Sequence, residues 1–185
     1  MLGEETATPE DRSAAAPSRW RRRFLEFAAF LALFAGLQYW QSRDMAAGAM
    51  PAVAGTLADG RPASLAAALA QAGGGPLLVY VWSSWCPICR IEEGAVESLA
   101  PDWPVLSIAM QSGDAAAVAR FIAGRGIVYP ALIDEQGEMA HRLGVRGVPA
   151  WFVVDGRGRV RFSGTGYTTS WGLQLRLWWA KVAAT

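Results

Sequence analysis

Leu77-Leu78-Val79-Tyr80-Val81-Trp82-Ser83-Ser84-Trp85-Cys86-Pro87-Ile88-Cys89-Arg90 is the stretch on which the reading of this chain turns. Its first six residues are an unbroken apolar run rich in β-formers, which reads as a buried strand. From Ile88 onward, Ile88, Ile91, Ala95, Val96 and Leu99 recur at helical spacing, with Glu92, Glu93 and Glu97 between them. Cys86 and Cys89, the only two cysteines in 185 residues, therefore fall where a strand gives way to a helix N-terminus. Unpaired N–H groups and the positive end of the helix dipole favour an anion there, and the anion a cysteine offers is a thiolate. A Cys-X-X-Cys pair so placed can close and reopen a small disulfide ring. Half a zinc site would need a second pair of ligands, and His141, the only histidine, cannot complete one, so no metal is expected. A static disulfide of this span would close too short a loop to stabilise much.

Upstream of the core, residues 1–19 are polar and carry Pro9 and Pro17; they are expected to be disordered on the cytoplasmic side. Arg19, Arg21, Arg22 and Arg23 then precede the apolar run Phe27 to Leu37, which Tyr39 and Trp40 close. A basic flank, an apolar middle and an aromatic far edge predict a transmembrane anchor over 20–41 with the following domain on the far side of the membrane. Phe24 to Trp40 is short for a span. Ala47-Gly48-Ala49 and Ala52-Val53-Ala54 also offer patterns a signal peptidase could accept, and Arg21-Arg22-Arg23-Phe24-Leu25 resembles a twin-arginine export signal. Residues 42–52 read as a linker and 53–185 as one domain, long enough for a real core. A net charge of +1 gives no pull on nucleic acid.

Within the domain, Asp59-Gly60-Arg61 marks a hairpin turn and Leu65 to Gln71 a short helix. Val105 to Met110 reads as a second buried strand and Ala115 to Ala123 as a helix capped by Asp114. Ile127 to Ile133 reads as an edge strand because of Pro130, and Glu135 to Leu143 as a helix. Ala150 to Val154 and Arg159 to Phe162 flank Asp155-Gly156-Arg157-Gly158, a hairpin signal. A last helix, Ser170 to Ala183, carries Trp171, Leu175, Trp178 and Val182 on one face, expected to pack on the sheet. The order predicts an α/β domain with a mixed sheet, helices on both faces, and the first cysteine at the carboxyl end of a central strand.

Trp85-Cys86-Pro87-Ile88-Cys89-Arg90, Glu92 and Gly147-Val148-Pro149 before a hydrophobic strand resemble the thioredoxin fold. They resemble in particular its membrane-tethered, extracytoplasmic TlpA-like and ResA-like branch, as do Asp59-Gly60-Arg61 (an N-terminal β-hairpin extension) and the central helix–strand insertion between 111 and 133. Gly166-Tyr167-Thr168-Thr169 and Leu175 to Ala180 are similar to the ScsD-like (suppressor of copper sensitivity) group.

The resemblance implies a periplasmic protein thiol–disulfide oxidoreductase with no cofactor beyond the Cys86–Cys89 pair. In it Cys86 is the exposed nucleophile, Cys89 the buried resolving thiol and Glu92 the proton relay. Thioredoxin itself has a buried Asp where this chain has Tyr80, so the relay has to come from elsewhere. Val148-Pro149 is a cis bond in the family. Trp85, Pro87, Val148 and Pro149 are expected to meet the substrate, with the residue-148 backbone pairing to an extended partner segment. The implied partners are protein thiols and disulfides and a membrane electron donor or acceptor, with a link to copper tolerance. Two other readings stand beside this one: a reductant for cytochrome c maturation, and a Cu(I)-binding thiol module, to which only Met110, Met139 and His141 could add ligands.

Overall fold

The computed structural model describes residues 19–183, so the expectation of disorder falls, but for Arg19, outside them. The chain divides into two units, 1–37 and 38–185. Helix α1 (Arg19–Ser42) accounts for the described part of the first, and its C-terminal end belongs to the second. Arg22 and Glu26 pair across one turn of it at 2.9 Å. The helix is long enough, yet among the described residues none is both long and apolar enough to cross a membrane. Its apolar run, 27–37, lies between four arginines with Glu26 and the polar Gln38, Gln41 and Ser42. The transmembrane span expected over 20–41 is therefore not shown.

The second unit runs β1 (Gly48–Ala49), β2 (Ala54–Thr56), β3 (Pro62–Ser64), α2 (Leu65–Gln71), β4 (Leu77–Trp82), α3 (Pro87–Glu97), β5 (Val105–Met110), α4 (Ala115–Arg125), β6 (Ala131–Asp134), α5 (Glu138–Arg142), β7 (Ala150–Val154), β8 (Arg159–Thr165) and α6 (Ser170–Val182). Six strands form one sheet in the order β1-β8-β7-β4-β5-β6. β4 pairs in parallel with β5 and antiparallel with β7. β6 adds in parallel to β5, β8 runs antiparallel to β7, and β2 and β3 make a separate hairpin. Ser64 caps α2 through Ala67 N–H, and Asp114 caps α4 through Ala117 N–H, as small polar residues at those positions should.

Every residue of β4 is buried. Alternation along the strand sends Leu77, Val79 and Val81 to one face, with Leu106, Ile108, Phe152 and Met139. Leu78, Tyr80 and Trp82 go to the other, with Cys86, Cys89, Val96, Leu173 and Leu177. Each buried leucine or valine is worth roughly 2 kcal/mol over its exposed state, so β4 is the strand the sheet can least spare. Its carboxyl end is where the cysteines begin.

Three expectations need correction. Residues 42–52 are not a free linker: Met45 and Met50 are buried in the core, and β1 pairs with β8 at Val160 and Arg159. β6 starts at Ala131 rather than Ile127, since Pro130 has no N–H for the ladder; its carbonyl instead accepts Ser107 N–H. The stripe Trp171, Leu175, Trp178 and Val182 does not pack on the sheet. Those residues are exposed, and α6 lies on the sheet through Leu173, Leu177 and Ala180.

Candidate redox site

Cys86 is the N-cap of α3, with extended backbone (φ −81, ψ 114), and Pro87 follows at the first helical position. Proline has no N–H to satisfy, and the Cys89 N–H goes to the Cys86 sulfur at 3.2 Å. A sulfur therefore occupies the place where a helix start usually takes a side-chain oxygen, and it receives the N–H that would otherwise stabilise that oxygen.

The loop entering the helix is pinned from both sides. Ser83 donates to the Met110 carbonyl at 2.6 Å, and Ser84 N–H donates to the Ser112 hydroxyl at 3.0 Å. The Trp85 indole N–H donates to the Gln111 carbonyl at 3.0 Å, leaving its ring 58% exposed. Trp82 is buried and donates to the Ser107 hydroxyl, with its ring stacked on Phe121. Arg90 donates to the Ser84 carbonyl at 2.9 Å, so it braces the loop.

The phase of α3 differs from the expected stripe. Ile88 and Ile91 are exposed, while Cys89, Glu92, Glu93 and Val96 are buried. Once Cys86 caps the helix and Cys89 turns inward, the residues three and seven positions on share its face. Glu92 is thereby carried into the interior at 0% exposure. There Oε1 accepts the Thr168 N–H at 2.7 Å and Oε2 accepts the Tyr80 hydroxyl at 3.1 Å. Arg125 pairs with Glu93, and no cation pairs with Glu92 among the described residues. Burial pushes the Glu92 carboxyl from 4.5 up to about 7, against the opposing pull of the Thr168 and Tyr80 donors. Burial also pushes the Cys89 thiol well up, followed by its hydrogen bond with Cys86, and the Glu92 charge adds to the rise. Tyr80 is raised by burial and then by Glu92, which keeps its hydroxyl protonated as a donor.

Cys86 and Cys89 are both free thiols. The expectation of an exposed Cys86 is corrected: it is 3% exposed, nearly as buried as Cys89 at 2%. The reason is the opposing loop. The Val148–Pro149 bond is cis, and the Cys86 thiol donates to the Val148 carbonyl at 3.6 Å. Pro149 is buried and Pro87 is exposed. A groove lined by Ile88, Arg146, Gly147, Val148, Thr165 and Gly166 runs alongside. The structure thus brings together Cys86, Cys89, Glu92, Val148 and Pro149, with Trp85 and Pro87 at the rim. His141 is exposed on α5. Among the described residues no group of three or more His, Cys, Asp or Glu is placed to hold a metal ion.

Sequence reasoning missed three participants. In the sequence Tyr80 stands out only as the residue in the place of thioredoxin's Asp. The Thr168 N–H is a backbone group that no side-chain pattern reveals. Ser112 sits just after β5, where the signal is only a polar residue beside a glycine.

The Redoxin family matches residues 45–170. The chain belongs to that family. A thioredoxin-like protein of Haemophilus influenzae is 34% identical over 107 residues, covering 57% of this chain and 64% of that one. A thiol:disulfide interchange protein DsbE of Tatumella citrea is 30% identical over 157 residues, 77% of this chain and 84% of that one. The match reaches about half of other curated relatives, 48% of a DsbE homolog of Paracoccus denitrificans for instance. Among solved structures, StoA from Bacillus subtilis superposes with a TM-score of 0.57 at 19% identity, over 69% of this chain and 96% of that one. That likeness shows the thioredoxin-like fold and nothing finer.

Proposed function

We propose that this Redoxin-family protein exchanges disulfides with protein cysteines outside the cytoplasm. The observation that carries the reading is the pair of sulfurs at the α3 N-terminus with, three residues beyond the second, a buried carboxylate held by Thr168 N–H and the Tyr80 hydroxyl and paired with no cation among the described residues. The Cys86 thiolate attacks a partner disulfide; one partner sulfur leaves with the electron pair and takes a proton. Cys89 then attacks the mixed disulfide, closing Cys86–Cys89 and releasing the second partner thiol, so the partner gains two electrons and the pair loses two. Cys89 must lose its proton to attack. Glu92, with a carboxyl near neutrality, is suited to accept that proton and to return it when the cycle runs backward. The Val148 N–H has no partner among the described residues, which leaves it open to an extended segment of the partner beside the groove. The names borne by the DsbE relatives support this activity.

Equilibration in glutathione buffers tests the reading: a single two-electron transition that vanishes in Cys86→Ser is expected. Failure to cycle would overturn it. In cells, Cys89→Ser is expected to accumulate mixed disulfides whose identity decides between partners serving copper tolerance and apocytochromes. The ScsD-like tail supports the first. Attachment to a membrane through α1 rests on the sequence pattern of arginines followed by an apolar run, and extraction at high pH after fractionation tests it.

A further inference from the structure

Trp40 lies near the C-terminal end of α1, in the part of that helix that belongs to the second unit. In the sequence it is the aromatic edge of an apolar run; in the structure it is a wall of the groove beside the redox site, together with Ile88 and Val148. The chain just past it is fastened to the domain. The Asp44 carboxylate pairs with Arg146 at 2.9 Å, and the Ala46 N–H donates to the Leu143 carbonyl at 2.9 Å. Between them Met45 is buried, and its sulfur accepts the Thr165 hydroxyl at 3.3 Å. Arg146 and Thr165 line the groove themselves, so the contacts that fix the segment also fix where the Trp40 ring stands. The Arg43 guanidinium lies 5.4 Å from the ring centroid, a cation–π contact that steadies it further. Trp40 is nevertheless 55% exposed and Ile88 46%, which leaves apolar surface open next to the sulfurs. A tryptophan offers a large contact area at little entropic cost, and such rings commonly anchor bound chains.

Continuity with the reacting atoms names the occupant. The groove includes Val148, whose carbonyl takes the Cys86 thiol at 3.6 Å. A polypeptide whose cysteine reaches Cys86, and whose backbone lies along residue 148, lays its neighbouring side chains into this space. The space is about 420 Å³, its side-chain walls are chiefly hydrocarbon, and the one charged residue lining it, Arg146, already holds Asp44. An apolar side chain gains by entering; a polar one loses water without finding a partner. We infer that Trp40 is a specificity-determining residue, selecting partner chains that carry a large apolar side chain within about two residues of the reactive cysteine, the reach of one strand repeat. This selection rests on the disulfide-exchange reading above and names the class of partner sequence it prefers.

The test uses the reduced full chain and disulfide-linked dimers of a short cysteine peptide, with leucine on both sides of the cysteine in one dimer and serine in the other. In each reaction the Cys86–Cys89 dithiol closes to its disulfide, and the peptide disulfide gains two electrons and parts into two thiols. Second-order rate constants are divided by those of the same dimers with free mercaptoethanol. The leucine dimer is expected to react roughly tenfold faster than the serine dimer. Trp40→Ala should bring that ratio to within about twofold of unity, and Trp40→Phe should restore most of the preference. A wild-type ratio near unity overturns the inference. So does Trp40→Ala with the wild-type ratio, even if both rates fall together, which would assign the ring to packing. Hydroxyethyl disulfide separates the two readings. A wild type that exchanges with it but shows no preference for leucine loses this inference alone; one inert to it and to both dimers loses the exchange reading as well.

Discussion

The backbone N–H of Thr168 donates to Oε1 of Glu92 at 2.7 Å, joining residues 76 positions apart on the buried face of the redox helix. Among the described residues that bond and the Tyr80 hydroxyl are the compensation the carboxylate receives, and burial outweighs them. The folded-state carboxyl is raised to about 7 from 4.5, so the neutral form is the one the fold prefers. The stability this group contributes is whole below the unfolded value and drains away as pH rises through the folded one. Glu92→Gln keeps an acceptor and removes the titration. Relative to the wild type it is expected to gain up to about 3 kcal/mol between pH 4.5 and neutrality. Urea unfolding of both proteins at the two pH values checks this, and a pH-independent difference would sink it.

Tyr80→Phe keeps the ring, which meets Tyr129 edge-on at 6.2 Å, and deletes one donor to the ionised carboxylate. The Glu92 midpoint should move further above 7, with a stability loss of about 1 kcal/mol at neutral pH. Carboxyl carbon NMR of selectively labelled protein reads the midpoint directly. A downward move would mean that the hydroxyl does not serve the ionised form.

Ser112→Ala removes the acceptor for the Ser84 N–H just ahead of the cysteines. An amide left unpaired in a half-buried loop costs about 1–2 kcal/mol. The same loop sets where the Cys86 sulfur stands, so slower disulfide exchange should accompany the lower melting temperature. Stopped-flow exchange with a small disulfide measures the rate; a loss of stability with no change in rate would separate loop from site.

Gly144→Ala probes the segment that composition made look like a linker. Gly144 has φ +74, and a Cβ there would run into the Asp44 carbonyl. Both the left-handed backbone and the collision oppose the substitution, so a loss of about 2–3 kcal/mol is expected. Were residues 44–50 merely a tether, thermal unfolding would show almost no change.

The strands and the cysteine turn were legible because they obey local rules. β4 is a continuous apolar run, β5 and β7 match their predicted bounds, and Pro87 behind Cys86 announces a helix start. The interior of the site was less legible. Helical spacing favoured Ile88 and Ile91 for the buried face, and by hydrophobicity alone that choice is right. It fails because the capping sulfur fixes the helix rotation, and the carboxylate three residues past Cys89 must follow it inward. The outward face of α6 was misread for a related reason: its apolar residues outnumber those one sheet can cover. Thr168 could not be foreseen at all, since a backbone N–H carries no residue signature.

The six-stranded sheet ends bluntly on both sides. At β6, Leu57 bridges to Leu132 and the Ala58 N–H takes the Ala131 carbonyl. At the other margin β1 is only two residues long, beside a strand bearing Arg159 and Arg161. An open strand margin is a template on which other extended chains can stack, and short or charged margins discourage such growth. With one margin bridged by Leu57 and Ala58 and the other short and flanked by arginines, edge-to-edge growth of the sheet is discouraged by architecture.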